Sequence, residues 1–563
     1  MSRLKVKDIP YQRYTIEEGR EAFASFEKAM KEAKSASDVL LARKAFREAM
    51  ALYSTAASLA NCRFTLNTKD EYYQAEMDYY DNVGPLFGEI VTNYASLMLD
   101  CPYRSELEKM MNPRLFEMWE MQKKAFDPII IEDSQEENAT VTEYSKLMSE
   151  MVFTYDGENM PLSVLRGKLE DADREVRRKA AIAIGEGLKA NSDKLDEIYD
   201  RLVKIRTRIA NKMGHKTFTT LGYYRMGRLD YNAEMVKAFR ENVKNAIVPV
   251  VKSIKDQIKN EMGYDEFMSY DDAIYGKGAS IVPILDKDGM FEEAQKMYDA
   301  MNDEIGSFMR EMQEAEAFDV DSRDGKWGGG YCTVFEKYEQ PFILANFNGT
   351  TGDVDVLTHE FGHAFAMKKA FDREDNELGI GGSETAEVHS MSMEFLSWPN
   401  MDKFFGADAD RYRRKHLLDA LTFIPYGVMV DEFQHIVYEN PDLTPAQRKE
   451  AWLELESKYR PYMSYGDIPY LSEGTRWQFQ MHIYETPFYY IDYCLAQTVA
   501  IGFLCASREN YDSALNRYVT LCKTGGEKPF GTLATDAGLS DPFTDGALDK
   551  IASDVMGIID SFK

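Results

Sequence analysis

Apolar residues recur three and four positions apart over most of the 563 residues, the spacing that gives a helix one buried face. Residues 16 to 62 form the first such stretch, rich in Ala, Glu, Lys and Leu. A second runs from about 170 to 213, through Arg177, Ile182, Leu188, Ile198 and Ile209, and a third from about 232 to 262. Breaks are expected at Gly84-Pro85 and Asn112-Pro113, because proline lacks a backbone donor and restricts the residue before it. No fixed period repeats along the chain, so a regular solenoid is not favoured. The texture changes near 320. Residues 325 to 330 read Gly-Lys-Trp-Gly-Gly-Gly, and two β-prone runs follow, Tyr331 to Phe335 and Phe342 to Phe347. The charged residues 336 to 341 between them predict a hairpin or two neighbouring strands. The pattern therefore predicts a mainly α protein with one small sheet.

A chain of this length exceeds one compact core and predicts two or three domains or a large lobed enzyme. The net charge of −28 repels phosphate backbones and argues against nucleic acid as a partner. The six cysteines contain no Cys-x-x-Cys pair and are scattered, which excludes a disulfide framework and predicts a reducing compartment. The first residues, MSRLKVKDIP, hold no apolar signal core. The longest apolar stretch, Cys494 to Ala506, is short for a bilayer and contains Gln497 and Thr498. A soluble, cytoplasmic protein with no membrane partner is expected.

Residues 359 to 363 are His-Glu-Phe-Gly-His. On a helix, His359 and His363 share a face and can reach one ion, while Glu360 stands beside them as a base for water. Two imidazoles and one carboxylate suit zinc and leave a position for water. Asp355 and Thr358 are capping-type residues before this helix. A third His ligand of the metzincin kind is excluded, because Ala366 and Lys369 stand where Gly and His are needed. That leaves a Glu on the following helix. Glu384, Glu387 and Glu394 share one side of it, beside Met391 and Phe395. Buried carboxylates need a partner, and a metal ion is one. His389 lies on another face and is expected to pack or to support the ligands. Phe342 to Thr350 would either offer an open strand edge to an extended peptide, with backbone contacts at Ala345, Asn346 and Phe347, or be an ordinary covered edge strand.

At these residues the chain resembles the thimet oligopeptidase and oligoendopeptidase F group of zinc peptidases, nearest to its bacterial oligoendopeptidases. The resemblance rests on His359 to His363, on Glu387 within Ala386 to Met391, and on the segment His482 to Tyr493. It implies that Glu387 is the third ligand of one zinc ion per chain, with Glu384 and Glu394 holding the ligand histidines. It also implies that His482, Tyr490 and Tyr493 stabilise the transition state. Thr486-Pro487-Phe488 departs from the thimet branch at this loop, which leaves Tyr489 open as a substrate contact. The fold implied is a two-lobed helical metallopeptidase with a deep substrate channel and a small β-sheet beside the motif helix. Residues 1–165 would form an N-terminal helical domain and 166–563 the catalytic one. The activity implied is endopeptidase cleavage of short, unfolded oligopeptides. Manganese or cobalt would suit the same ligands. An exopeptidase would need a fixed charge to grip a peptide end, for which Arg476 and Glu473 are candidates. A peptide-binding protein without activity would not need Glu360.

Overall fold

The structure is a computed structural model and describes residues 4–278, 280–373 and 375–562. Helices α1 (Ile16–Glu32), α2 (Ala36–Leu66), α3 (Glu71–Leu99) and α4 (Arg114–Ala125) pack into a small core through Phe26, Phe46, Phe87, Tyr94 and Trp119. The apolar spacing over 16 to 62 is two helices. Thr15 and Glu18 close a capping box at the first, and the Ser35 side chain accepts the Asp38 amide to start the second. Gly84-Pro85, expected as a break, lies inside α3. An interior proline costs about 3 kcal/mol. The buried face Tyr80, Val83, Phe87 and Ile90 runs across it, and burying such side chains stabilises by roughly 1.5–3 kcal/mol each. Burial outweighs the break.

The larger core takes residues from both ends of the chain and includes Ile130, Tyr144, Phe153 and Leu165. The small core runs to Trp119 and adds Leu378. The helix Ile131–Glu150 joins the larger core, its Tyr144 stacking on Tyr484 with ring centroids 3.9 Å apart. The second predicted stretch is a pair of helices, Arg174–Lys189 and Ser192–Lys212. The third runs from Ala233–Asn242 through a π turn at Val243–Ile247 into Val248–Met262.

Two small sheets are present among the described residues. The hairpin β1 (Phe153–Tyr155) and β2 (Glu158–Met160) was not legible as a pattern, being three residues a strand. The second sheet contains β3 (Phe318–Asp321), β4 (Tyr331–Phe335) and β5 (Gln340–Phe347) in the order β3-β5-β4. The expected hairpin is β4 with β5, antiparallel, Cys332 facing Ile343. The parallel strand β3 covers the other side of β5. Phe342 to Leu344 are therefore central in the sheet, whereas Ala345 to Phe347 run past the end of β4 and are paired on the β3 side only. Among the described residues β4 is paired on one side only.

From β5 the chain enters α5 (Gly352–Phe371), then α6 (Ser383–Leu396), α7 (Ala409–Glu439), the short α8 (Met481–Glu485) and α9 (Tyr490–Glu509). Helix α6 packs against both α5 and α9. A Cβ at Gly362 would stand 2.5 Å from the His389 carbonyl oxygen, so only glycine allows α5 and α6 to approach this closely. Helix α9 is long and apolar enough to cross a membrane, but 72% of its apolar window is buried in the core.

The connection between α5 and α6 is fastened to the small lobe. The Glu377 carboxylate accepts hydrogen bonds from Arg43 Nη2 (2.5 Å), Trp119 Nε1 (2.9 Å) and Tyr94 Oη (3.2 Å). Asp375 accepts from Arg43 (2.8 Å), and Leu378 sits in the small core. Removing one partner of a buried ion pair costs about 3–5 kcal/mol. Because Arg43 keeps Asp375, Glu377→Ala is expected near the lower end, seen as a reduced urea midpoint. An unchanged midpoint would mean that the fastening contributes nothing to stability.

Candidate active site

Helix α5 begins about a turn earlier than Asp355 and Thr358 suggest. Thr351 is the N-cap and makes no side-chain cap bond, and Asp353 in the first turn reaches back to the preceding loop, its carboxylate accepting the Asn348 and Gly349 amides at 2.9 and 2.8 Å. Thr358 lies inside the helix and donates to the Val354 carbonyl (3.0 Å), and Asp355 accepts a hydrogen bond from Tyr412. One turn separates His359 and His363, whose ring centroids are 5.0 Å apart. Helix α6 brings Glu387 to both: its Oε2 lies 3.3 Å from His359 Nε2 and 3.4 Å from His363 Nε2. The ligand-type atoms of the three residues lie within 4.8 Å of one another.

This donor set fits a tetrahedral zinc ion. Two ligands bonded at about 2.1 Å to such an ion stand roughly 3.4 Å apart, close to the two carboxylate–imidazole distances seen. The electrostatics agree. Burial resists charge on His359, but the carboxylates of Glu387 and Glu394 outweigh it and hold the imidazole well above its usual range. Burial likewise resists ionisation of Glu387, and His363 and His359 outweigh it. The acids demand positive charge at this spot, which a divalent cation would supply.

The tautomers follow from a chain of hydrogen bonds. Trp398 Nε1–H can only donate, and it donates to His416 Nδ1 (2.9 Å). His416 Nε2 therefore carries the proton and donates to Glu394 Oε2 (2.6 Å). Glu394 Oε1 accepts from His359 Nδ1 (2.6 Å), which directs His359 Nε2 at Glu387 as the nitrogen that would bind an ion. Burial resists charge on Glu394, but these two imidazoles hold its carboxyl down to about 2. Glu384 does not share this role. Its carboxylate lies 3.4 Å from Tyr231 Oη on the far side of α6, and burial beside Asp492 pushes it up to about 7. His389 is fully buried with neither ring nitrogen bonded, and its carbonyl accepts from Tyr518 (2.8 Å), which makes it a packing residue.

Glu360 is only 8% exposed. Burial raises its carboxyl above the usual range, and His359 and His363 offset part of that rise. Opposite stands the segment His482 to Tyr493. The His482 ring lies 5.7, 5.0 and 5.8 Å from the rings of Tyr489, Tyr490 and Tyr493. Its Nδ1 is 2.8 Å from Gln480 Nε2, whose own carbonyl oxygen accepts from Tyr426. Gln480 thus donates to Nδ1 and leaves the His482 proton on Nε2. Burial pushes His482 down to about 4, so it is a neutral donor near neutral pH. Tyr489 Oη donates to Glu387 Oε1 (3.0 Å).

The sheet residues are already engaged. Ala345 O accepts from Lys326 Nζ (2.5 Å), Asn346 Nδ2 donates to the carbonyls of Trp327 (2.9 Å) and Gly329 (2.8 Å), and Phe347 stacks near Phe291 (6.4 Å). Ala345 and Asn346 hold the glycine-rich loop against β5. A cavity of about 700 Å³ opens beside the motif helix and is lined by His359, Glu394, His482, Tyr490, Tyr493 and Arg476 among others. Glu473 lies outside it, paired with Lys189 (3.2 Å) at the surface. His416, Trp398 and Gln480 carried no sequence signal, since each comes from an element whose placement only the packing decides.

Residues 168–553 match Peptidase family M3, and residues 6–126 match the Peptidase M3 N-terminal domain. The structure superposes on that of PZ peptidase A with inhibitor 2 at a TM-score of 0.95, with 42% identity over 99% of each chain. A Bacillus anthracis str. Ames protein named as a candidate oligoendopeptidase F gives a TM-score of 0.90 and 36% identity, over 100% of this chain and 99% of that one. Among curated proteins, Oligopeptidase PepF of Bacillus subtilis (strain 168) is 24% identical over 374 residues. That match spans 63% of this chain and about half (53%) of the relative. Two family matches in sequence order and full-length superposition agree, and the chain belongs to peptidase family M3.

Proposed function

We propose that this peptidase is a zinc-dependent endopeptidase of short, unfolded oligopeptides. The observation that carries the reading is the His359–His363–Glu387 cluster with buried Glu360 beside it. A zinc ion held by those three residues would acidify water and polarise the scissile carbonyl. Glu360 takes the proton of the attacking water on its carboxylate and returns it to the leaving nitrogen. His482 donates from Nε2 toward the carbonyl oxygen as negative charge builds there, together with the hydroxyl of Tyr490 or Tyr493. Tyr489 orients the free oxygen of Glu387. No covalent intermediate is needed. Retention of a buried base argues against a mere peptide-binding protein, which has no use for one.

The paired-on-one-side strand β4 supports binding of an extended substrate by strand addition. Six free cysteines suit a reducing, cytoplasmic setting. The small helical lobe and the catalytic lobe are read as the two sides of the channel, which would admit flexible peptides and exclude folded proteins.

The test is a set of peptides of graded length, blocked at both ends, incubated with and without a chelator. Internal cuts that vanish with chelator and return with zinc are expected. Cleavage confined to peptides with a free terminus, one or two residues from that end, would replace the endopeptidase with an exopeptidase.

A further inference from the structure

The cavity beside the motif helix holds several charged side chains, and all but one have opposite partners. Asp272 meets Arg460 and lies 3.1 Å from Lys255, Asp419 is paired with Lys415 (3.0 Å), and Glu394 is bonded to two imidazoles. Arg476 is the exception. It makes no hydrogen bond or ion pair among the described residues, and its Nη1 is fully buried without a partner. It is held only by the rings of Phe479 (4.8 Å) and Tyr426 (5.3 Å). Glu456, which is close enough to be influenced by Arg476, is already bonded to Tyr465 (2.6 Å). Arg166 lies against the same Phe479 ring (4.5 Å) and adds positive charge without an acid.

In a chain with 95 acidic and 67 basic residues, a guanidinium in a cavity wall that finds no carboxylate is conspicuous. Buried charges are normally paired, and the fork of a guanidinium matches a carboxylate in plane and spacing. The aromatic contacts fix the fork and leave its N–H groups without hydrogen-bond partners among the described residues. A peptide lying in this cavity offers carboxylates as its only anions. We propose that Arg476 is a carboxylate-binding subsite of the peptide channel, taking the C-terminal carboxylate of the substrate or an Asp or Glu side chain within it. This deepens the peptidase reading and rests on it.

The experiment compares kcat/KM for acid-free peptides of graded length ending in a free carboxylate or an amide. A second series is amidated and carries one Glu or Gln at successive positions. The first series isolates the terminal carboxylate, the second the side chain. At one register the carboxylate peptide is expected to be favoured by about tenfold or more, the range for a hydrogen bond to a charged group. In Arg476→Gln that ratio falls to about one, and in Arg476→Lys, which keeps the charge and loses the fork, it is intermediate. Ratios within about twofold of one at every register of the wild-type protein, or a preference that survives Arg476→Gln, would overturn the proposal. The wild-type ratios decide even if Arg476→Gln does not fold. Should the zinc-loaded protein cut none of the peptides, the peptidase reading fails instead. Calorimetric binding of the same acid and amide peptides to Glu360→Gln still reads the Arg476 preference.

Discussion

Glu360→Gln is expected to lower kcat by ~10³-fold while the protein keeps its zinc. The amide has the shape of the carboxyl and fills the same buried space beside the two imidazoles, so neither packing nor the ligand set changes. What it cannot do is accept a proton. Burial raises the Glu360 carboxyl above the usual range, which makes it a stronger base than an exposed glutamate. The effect should appear in kcat rather than KM, because the proton moves only as the transition state forms. Turnover of a quenched peptide, measured beside metal content, checks both halves. Near-normal turnover with a full complement of zinc would remove Glu360 from the role of base.

Glu387→Ala is expected to abolish both metal retention and activity. Among the described residues its carboxylate is the only one placed against both imidazoles, and its loss leaves two nitrogens one helical turn apart. The drop in zinc affinity should exceed the roughly 10–100-fold that loss of an outer hydrogen-bond partner costs. Glu394→Gln gives that smaller yardstick. It removes the charge that orients His359 and His416 without touching a ligand atom. Competition against a fluorescent chelator ranks the three proteins. If Glu394→Gln released zinc as readily as Glu387→Ala, the assignment of ligand and support would have to be exchanged.

How far these residues were legible in the sequence depends on the kind of contact. The helical character and the sheet beside the motif helix followed from apolar periodicity, which one chain segment carries by itself. His359 and His363 followed from the fixed rise of a helix. Glu387 did not: on periodicity it was one of three equivalent acids, and the resemblance to a family singled it out. Glu384 and Glu394 differ only in which neighbour α6 turns toward each, α9 with Tyr231 in one case and α5 with α7 in the other. No local pattern encodes that. Strand β3 has four residues and pairs in parallel with a segment over twenty positions later, so its cover over β5 could not be foreseen. Pro85 breaks no helix for a related reason, since the face of α3 that runs past it is buried by other helices.

The fastening of Glu377 to Arg43, Tyr94 and Trp119 has a consequence for how the enzyme matures. The stretch that spaces the histidine pair from the third acid is braced by residues 6–126, which are synthesised before the stretch they brace. The amino-terminal bundle thus braces the connection between the two helices that carry His359, His363 and Glu387. A proteolytic nick that frees this bundle would remove that brace from a distance, without cutting any of those three residues.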